Sequence, residues 1–525
     1  MKKRYFAIPC LSVVILFVYL HLNWNTLNLS QVYLPERGVT YLTEKVMRYG
    51  TIFVPSVCAH PNKSRIYLKH AHKVYNLGDE VEVQIDLYDM LGNRKMTGGD
   101  FLRVWMENPE RAASVSGRVA DLYNGSYTAL LKAVWPGNAT IKAFIATRRE
   151  EIVLDYMILQ KHYSLWTIFA EFRANNLKDS TKCSISQGNS LKTNEWCNFT
   201  NENNGYSYYC RKSKIKQLTC DRWSHSYSEN RIAAPLNNTE RNILGLSVID
   251  PKPDILQTSV KVSVRRASND MELPAPRTPC NKLPTVMTWQ RTSPNGYFLQ
   301  NKWHSLLCTN TLPRTTDAYR RCLKGRTLWL HGDSTSSQFK GALHSILHFP
   351  SHTDGHVPTT DTDVTHNFSI SWHAHELPFY NGARRYDRST HQGQNVMMDR
   401  LPNTTKDIVV LYMYVHFTLV HPDVFRRHVQ RLVPSAKNLL ARAPNVTLAV
   451  RGPHAFFRPM HGLLSYWGLL YTNIWHEAFA SLQHKIVYLD FWDLTMAKTS
   501  RDFHPAEDTV KEMVHTMMSL MCFRK

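Results

Sequence analysis

The sequence predicts a multidomain protein in which an antiparallel β-sandwich precedes an α/β domain built on a doubly wound parallel sheet. Three observations lead there. The chain has 525 residues, too many for one ordinary domain. Residues 58–165 alternate apolar and polar side chains in short runs separated by Gly, Asn and Pro turns, the pattern of half-buried antiparallel strands. Beyond about residue 300, near-continuous apolar runs alternate with amphipathic stretches, as parallel strands covered by helices do.

Taken in order, "MKKRYF" supplies a basic flank and "AIPCLSVVILFVYLHL", residues 7–22, an apolar stretch with no small-x-small cleavage site after it. The expected reading is an uncleaved type II signal anchor in a membrane of the secretory pathway, such as the Golgi, with the lysines cytosolic. A cleaved signal peptide on a secreted protein is the alternative. Residues 23–57 read as a stem. In the sandwich, 58–165, "DEVEVQIDLYDMLGN" is an alternating strand ending in a turn. "GRVADLYNGSYTALLKAVWPGNATIKAFIATR" is three strands joined by Asn-Gly and Pro-Gly turns. The run V-x-D-x-x-N-G-S-Y-T resembles an immunoglobulin-like or filamin repeat. Residues 166–300, rich in Cys, Asn, Ser and Pro, read as a disulfide-tied connector.

From 301 to 525 the elements alternate. "TLWLHG" is a strand and "SSQFKGALHSILHF" a helix with Phe339, Leu343, Ile346 and Leu347 on one face. "FSISWHAHELPF" and "DIVVLYMYVHF" are strands, the latter apolar enough to be central. "PDVFRRHVQRLVPSAKNLLAR" is a helix expected to break near Pro434. "VTLAVRGPH" is a strand, "LLSYWGLLYTNIWHEAFASLQ" a long helix, and "KIVYLDFW" the fifth strand. "PAEDTVKEMVHTMMSLMC" closes the chain as a helix with Pro505 in its first turn.

The formal charge is +21, which admits nucleic acid, an anionic membrane or an acidic glycan as partner. The basic residues are scattered, without a Lys/Arg block or zinc-finger spacing, so nucleic acid is not expected. Nine of the ten cysteines, Cys58, Cys183, Cys197, Cys210, Cys220, Cys280, Cys308, Cys322 and Cys522, lie beyond the anchor. In an oxidising lumen they read as a disulfide framework, with one thiol left free or paired between chains. Asn62, Asn124, Asn138, Asn198, Asn237, Asn367, Asn403 and Asn445 begin N-x-S/T sequons.

Gly332-Asp333-Ser334 follows the first parallel strand and precedes a helix. By residue usage that tripeptide arises in roughly one chain in ten of this length, so position decides its meaning. A hydroxyl there stands at the carboxyl edge of the sheet, at a helix N-terminus whose N–H groups suit an oxyanion. It has the strand-turn-helix logic of a nucleophile elbow without Gly-x-Ser-x-Gly; the bland alternative is an N-cap serine. His504, in "SRDFHPAED" between the last strand and the last helix, opens on the same edge and is the candidate base. A carboxylate must orient it: Asp502 lies two residues upstream, and Asp493 and Asp490 lie further back at the end of the fifth strand, with Asp502 the first choice and Asp493 the second. Arg451 closes the fourth strand as a possible carboxylate or phosphate clamp, with a structural ion pair as the alternative. "WHAHE" places His373 and His375 close together, but no third ligand is evident and no metal is expected.

Gly332-Asp333-Ser334 with an Asp/His pair in the last loop resembles the SGNH (GDS-type) hydrolases. More narrowly it resembles their PC-esterase branch, which includes sialic acid and plant wall-polysaccharide O-acetyltransferases. With the anchor, the sandwich and the Cys-rich middle, the chain resembles the neurexophilin and PC-esterase domain family beyond residue 50. The resemblance implies a lumenal glycan O-acetyltransferase with Ser334, His504 and an Asp as its triad. It also implies an oxyanion role beside the Ser334 N–H for His416, at the end of the third parallel strand where such enzymes carry an Asn-bearing loop, although no Gly-x-Asn-Asp is present. It implies no tightly bound cofactor, acetyl-CoA as donor, and a sialylated acceptor that the positive charge would favour. One departure stands out: the usual Asp-x-x-His is here Asp502-Phe503-His504, with a single intervening residue. A hydrolytic acetylesterase would use the same residues. The reading from another class is a neurexophilin-like cell-surface binding glycoprotein, with a neurexin-like partner and an inactive esterase-like domain.

Overall fold

The computed structural model describes residues 53–70, 74–186, 194–245, 254–266, 273–349, 358–378, 392–457 and 463–524. The expected anchor, 7–22, and nearly all of the stem lie outside them. Among the described residues no helix is long and apolar enough to cross a membrane.

The chain forms three sheets with helices between them. The first has 11 strands wrapped around one apolar core, in which Val81, Val83, Ile85, Val104, Met106, Leu131 and Ile141 are buried. Strict alternation along Glu80–Asp86 puts every second side chain inside. The strand Ala113–Asp121 changes partner part-way. It pairs with Phe101–Asn108 through Gly117, and from Arg118 onward with Ser126–Lys132. A Cβ on Gly117 would stand 3.0 Å from the Leu131 side chain, so the fold-over point has no room for one. Strands from further along the chain complete this sheet: Val260–Arg265 pairs with Gly137–Thr147, and the hairpin Gly296–Leu299/Lys302–Ser305 joins at Ser114.

The region expected as a connector is therefore structured, and so is the end of the expected sandwich. Arg149–His162 is a helix, buried on nearly every side over its first three turns, with Arg149, Glu150, Glu151 and Asp155 among its buried residues; a helix that buries charged and apolar side chains alike gives no one-sided apolar stripe to read. After it comes a five-stranded antiparallel sheet running from Trp166 to Ile232. Its Phe199, Tyr208 and Trp223 join the same core as the parallel sheet. Disulfides Cys183–Cys210 and Cys197–Cys220 staple it, and Cys280–Cys308 and Cys322–Cys522 tie down the chain beyond it. Among the described residues Cys58 is the free thiol, buried, with burial pushing it up to about 12, which disfavours pairing between chains.

The third sheet is the α/β unit, whose elements are numbered here from its first strand. Its strands are β1 (Thr327–Gly332), β2 (Thr359–Asp363), β3 (Phe368–Ala374), β4 (Ile408–Leu411), β5 (Thr447–Arg451) and β6 (Val487–Leu489). Their order is β2-β3-β1-β4-β5-β6, all parallel except the edge strand β2. The helices are α1 (Ser334–Leu347), α2 (Gln394–Arg400), α3 (Pro422–Arg442), α4 (Trp467–Ala478), α5 (Trp492–Ala497) and α6 (Glu507–Met521). Helix α1 packs on α6, while α3 packs on both α2 and α4. Succession reverses at β1, with β3 on one side and β4 on the other, so the crevice beyond its carboxyl end is the switch point where such sheets bind ligands. Three local expectations change. Helix α3 runs through Pro434, which sits on the exposed face where the freed carbonyl can turn to water. The fourth helix is shorter, Trp467–Ala478, and Pro505 precedes the N-cap Ala506 rather than opening the last helix. Trp467, Tyr471 and Trp475 are wholly buried core residues.

Candidate active site

The site starts at the end of β1. Gly332 has φ 145°, and a Cβ there would stand 2.7 Å from the Tyr412 carbonyl oxygen and 2.8 Å from Ser336 Oγ; the sharp exit from the strand needs glycine. Asp333 is the N-cap of α1. One carboxylate oxygen accepts from Thr335 N and Thr335 Oγ1 at 2.9 and 2.7 Å. The other accepts from Val415 N, just past β4, at 3.0 Å. A fully buried carboxylate thus binds the elbow to the neighbouring strand's exit. Its carbonyl takes the Ser336 N–H as well, and the Ser334 N–H is the first-turn donor that Asp333 does not use.

Ser334, partly exposed, projects to His504: Oγ and Nε2 are 2.7 Å apart across 170 residues. The loop carrying His504 is held on both sides of it. His454, after β5, is fully buried and donates from Nε2 to the Phe503 carbonyl at 2.8 Å. Gln338, one turn past Ser334, donates to the Pro505 carbonyl at 3.2 Å. Further upstream, Arg103 of the sandwich inserts a fully buried guanidinium and donates to the carbonyls of Thr495, Met496 and Ser500 at 3.1, 3.5 and 3.5 Å. Phe144 and Phe457 stack edge-on beside it, and Arg103 lies over Phe144. Burial lowers His504 below the usual imidazole range, opposed by the charges of Asp333 and Asp502. The ring is therefore held neutral, as a proton acceptor needs.

The two carboxylates considered for orienting His504 do not touch its ring. Asp502 accepts the backbone N–H of His504 at 3.0 Å, a turn-type bond spanning two residues. It shapes the loop and acts on the imidazole through space. Asp493, on α5, accepts from Ser293 Oγ and Asn295 N at 3.1 and 2.8 Å. Burial and then Asp490 push its carboxyl up to about 7. It serves packing below the sheet edge, so it does not stand in for Asp502.

His416 sits where expected, just beyond β4, and is buried. His375 Nδ1 faces the Glu376 carbonyl at 2.7 Å and must donate to it. Its Nε2 then accepts from His416 Nδ1 at 3.0 Å, so that nitrogen of His416 is committed to His375. Arg451 is buried, not a rim clamp and not in an ion pair. It lies between the rings of Phe339 and Tyr412, 4.1 Å from each, and donates to the Thr335 carbonyl at 3.1 Å. Among the described residues no group of three or more potential ligands is placed to hold a metal.

With this geometry in place, comparison with known proteins can be set beside it. Residues 303–522 match the family model described as NXPE family member 4-like, C-terminal domain. The match is a likeness to that domain over less than half of the chain, and it covers the α/β unit together with the short helix, Thr316–Leu323, that leads into it. It includes every residue of the Ser334–His504 site, while Arg103 lies in the sandwich outside it. A solved structure described as "FdeC, a Novel Broadly Conserved Escherichia coli Adhesin Eliciting Protection against Urinary Tract Infections" is 12% identical over 39% of this chain. This chain spans 65% of that one, and the TM-score of 0.15 is too low to carry an argument.

His454, Gln338 and Arg103 were not singled out by sequence reasoning. Position offered a signal for the first two: "RGPH" ends a parallel strand, and Gln338 follows Ser334 at helical spacing. Arg103 lies in another domain and offered none.

Proposed function

We propose that this protein is a lumenal glycan O-acetyltransferase in which Ser334 carries the acetyl group and His504 moves the protons. The observation that carries the reading is the 2.7 Å approach of Ser334 Oγ to a neutral, loop-fixed imidazole at the switch point of a parallel sheet. His504 takes the Ser334 proton as Oγ attacks the donor's acetyl carbonyl, and returns it to the departing thiolate of acetyl-CoA. The acceptor hydroxyl then gives its proton to His504 and attacks the acetyl-serine, regenerating both side chains. The Ser334 N–H at the start of α1 is the oxyanion donor in this reading. Sialylated glycoconjugates are the acceptor class, favoured by the charge of +21. Among the described residues, four disulfides and eight sequon asparagines, all eight exposed, fit a glycoprotein of the secretory pathway, held there by the segment at 7–22.

One observation favours the rival reading of a neurexophilin-like binding protein with an inactive domain: among the described residues, no carboxylate touches the His504 ring, and Asp502 bonds the His504 backbone instead. A single experiment separates them. Cells that present sialylated acceptors express either the native chain or Ser334→Ala, and O-acetylated sialic acid is quantified. The native chain raises acetylation above untransfected cells, and Ser334→Ala returns it to background, a loss of about 10³-fold or more in turnover. Equal acetylation by both, above background, refutes Ser334 as nucleophile. No rise with either supports the binding reading.

A further inference from the structure

The five-stranded sheet has an open groove of about 780 Å³ whose lining carries Lys182, Arg211, Lys212 and Lys214 against a single carboxylate, Asp179. That volume lies within the ~300–1,000 Å³ usual for ligand sites. The four cations are exposed, and none has a carboxylate partner among the described residues. Asp179 is held by Ser213 Oγ at 2.6 Å and by Ser180 N, and its one negative charge leaves the four cations in excess. Two further features distinguish the groove from a merely solvated basic face. Trp196 and Trp166 line it, and the Arg211 guanidinium lies 5.5 Å over the Trp196 ring. Ser164, Thr167, Ser180 and Thr181 add hydroxyls among the charges. Cations, ring faces and hydroxyls together match a sugar chain bearing acid groups, because anions meet ammonium and guanidinium while sugar C–H faces rest on indole.

The backbone is stapled where the cations stand. Cys183 and Cys210 pair across adjacent strands and are joined by a disulfide, which sets Lys182 beside Arg211. The groove's other wall is fastened to the α/β unit: Leu165 N donates to the Leu419 carbonyl at 2.7 Å, and Ser164 bridges to Val420. Leu419 and Val420 close the same turn that begins at Val415, whose N–H the Asp333 carboxylate holds beside Ser334. We infer that this groove binds an acidic oligosaccharide, carboxylated or sulfated, at a site distinct from the reacting hydroxyl. The inference deepens the acetyltransferase reading by giving the acceptor chain a second anchorage, but binding itself does not require turnover.

The test measures binding by the lumenal chain, residues 23–525, carrying Ser334→Ala so that turnover cannot intervene. The probes are polysialic acid, a heparin-type sulfated oligosaccharide and a neutral oligosaccharide of equal length, near physiological salt. Saturable binding of at least one acidic probe is expected, with none of the neutral one. Lys182→Ala/Lys212→Ala/Lys214→Ala should weaken it about tenfold, three partly solvated charge contacts at roughly two- to fivefold each. Trp196→Ala should weaken it at unchanged net charge. Those positions are exposed or half-buried, and an unchanged melting temperature checks folding. Equal binding by the triple variant, no acidic-probe binding by the parent, or displacement by 3′,5′-ADP but not by free sialyl-oligosaccharide would overturn the inference. Without Ser334→Ala, loss of groove binding with unchanged turnover of a polysialylated acceptor refutes the second anchorage alone. Absence of turnover in the native chain with groove binding intact refutes the acetyltransferase reading alone.

Discussion

Replacing Arg103 by Met tests whether the sandwich belongs to the machinery of the site. The guanidinium is fully buried and faces three carbonyls in the segment leading to His504, at 3.1, 3.5 and 3.5 Å. Met fills similar volume but donates nothing. The well-formed bond to Thr495 counts as a charged hydrogen bond, about 1.5–3 kcal/mol, and the two longer ones count for less. Against this, Arg103 is already strained electrostatically, with burial lowering it to about 9, so its removal relieves a desolvation cost. The net loss of stability should be about 2 kcal/mol. The larger effect is on geometry, because Ser334 and His504 meet through one 2.7 Å contact and a shift of about 1 Å can cost on the order of 10²-fold. The assay follows acetyl transfer to a sialoside, with melting temperature measured beside it. The expected result is a fall in kcat of about 10²-fold with the acceptor KM little changed, and partial rescue by Arg103→Lys. Hydrogen exchange of residues 498–506 should quicken in step, a readout independent of any reaction. Unchanged kcat and unchanged exchange in a folded Arg103→Met protein would refute the reasoning.

Three further outcomes rest on the contacts already described. Gly332→Ala should destabilise by about 2–4 kcal/mol, seen in urea unfolding, because φ 145° and a contact of 2.7 Å to the Tyr412 carbonyl oxygen leave no place for a methyl group. Asp502→Asn keeps an oxygen for the His504 N–H but removes a charge that raises the imidazole; the acid limb of the pH–rate profile should move to lower pH, and a move to higher pH would contradict the electrostatics. His515, buried and bonded to Tyr319 Oη at 2.6 Å, is pushed down to about 3. The folded chain therefore resists a proton that the unfolded chain accepts near 6.5, so stability falls as pH drops below about 6.5. His515→Gln should remove about 2 kcal/mol of the stability lost between pH 7.5 and 5, at about 1.36 kcal/mol per pH unit.

Much of the α/β unit could be read from the chain because its strands are apolar throughout and its helices are amphipathic, two patterns that do not resemble each other. Ser334 and His504 were legible for the same reason: the topology alone sends both to one edge. What could not be read depended on contacts between distant segments. The strand Val260–Arg265 looks like any alternating run, and nothing local says that it returns to Gly137–Thr147. The Cys-rich segment looked like a connector because its strands, such as Trp196–Asn198 and Tyr209–Arg211, are short and held by disulfides rather than by long apolar runs. Arg451 was misread because a charged residue at a strand end suggests an anion, whereas two aromatic rings enclose it. Asp502 was chosen for its nearness in sequence, and that nearness is what turns its carboxylate back onto its own loop.

The absence of a carboxylate on the His504 ring does not leave the imidazole without support. A serine–histidine pair needs two things from an acid: a fixed ring and a negative charge to steady the imidazolium that forms during transfer. In the proposed acetyl transfer the two duties are divided. Orientation comes from the loop, pinned at Phe503 by His454, at Pro505 by Gln338, and at Thr495 and Ser500 by Arg103. Charge comes from Asp333, buried under the elbow, which raises the imidazole more than Asp502 does. Because Asp333 also fixes Thr335 and Val415, it couples the electrostatics of the base to the backbone that presents the hydroxyl. The single-residue spacing of Asp502 and His504 is then no defect in the site. It belongs to a loop whose rigidity comes from three other parts of the chain, one of them the sandwich.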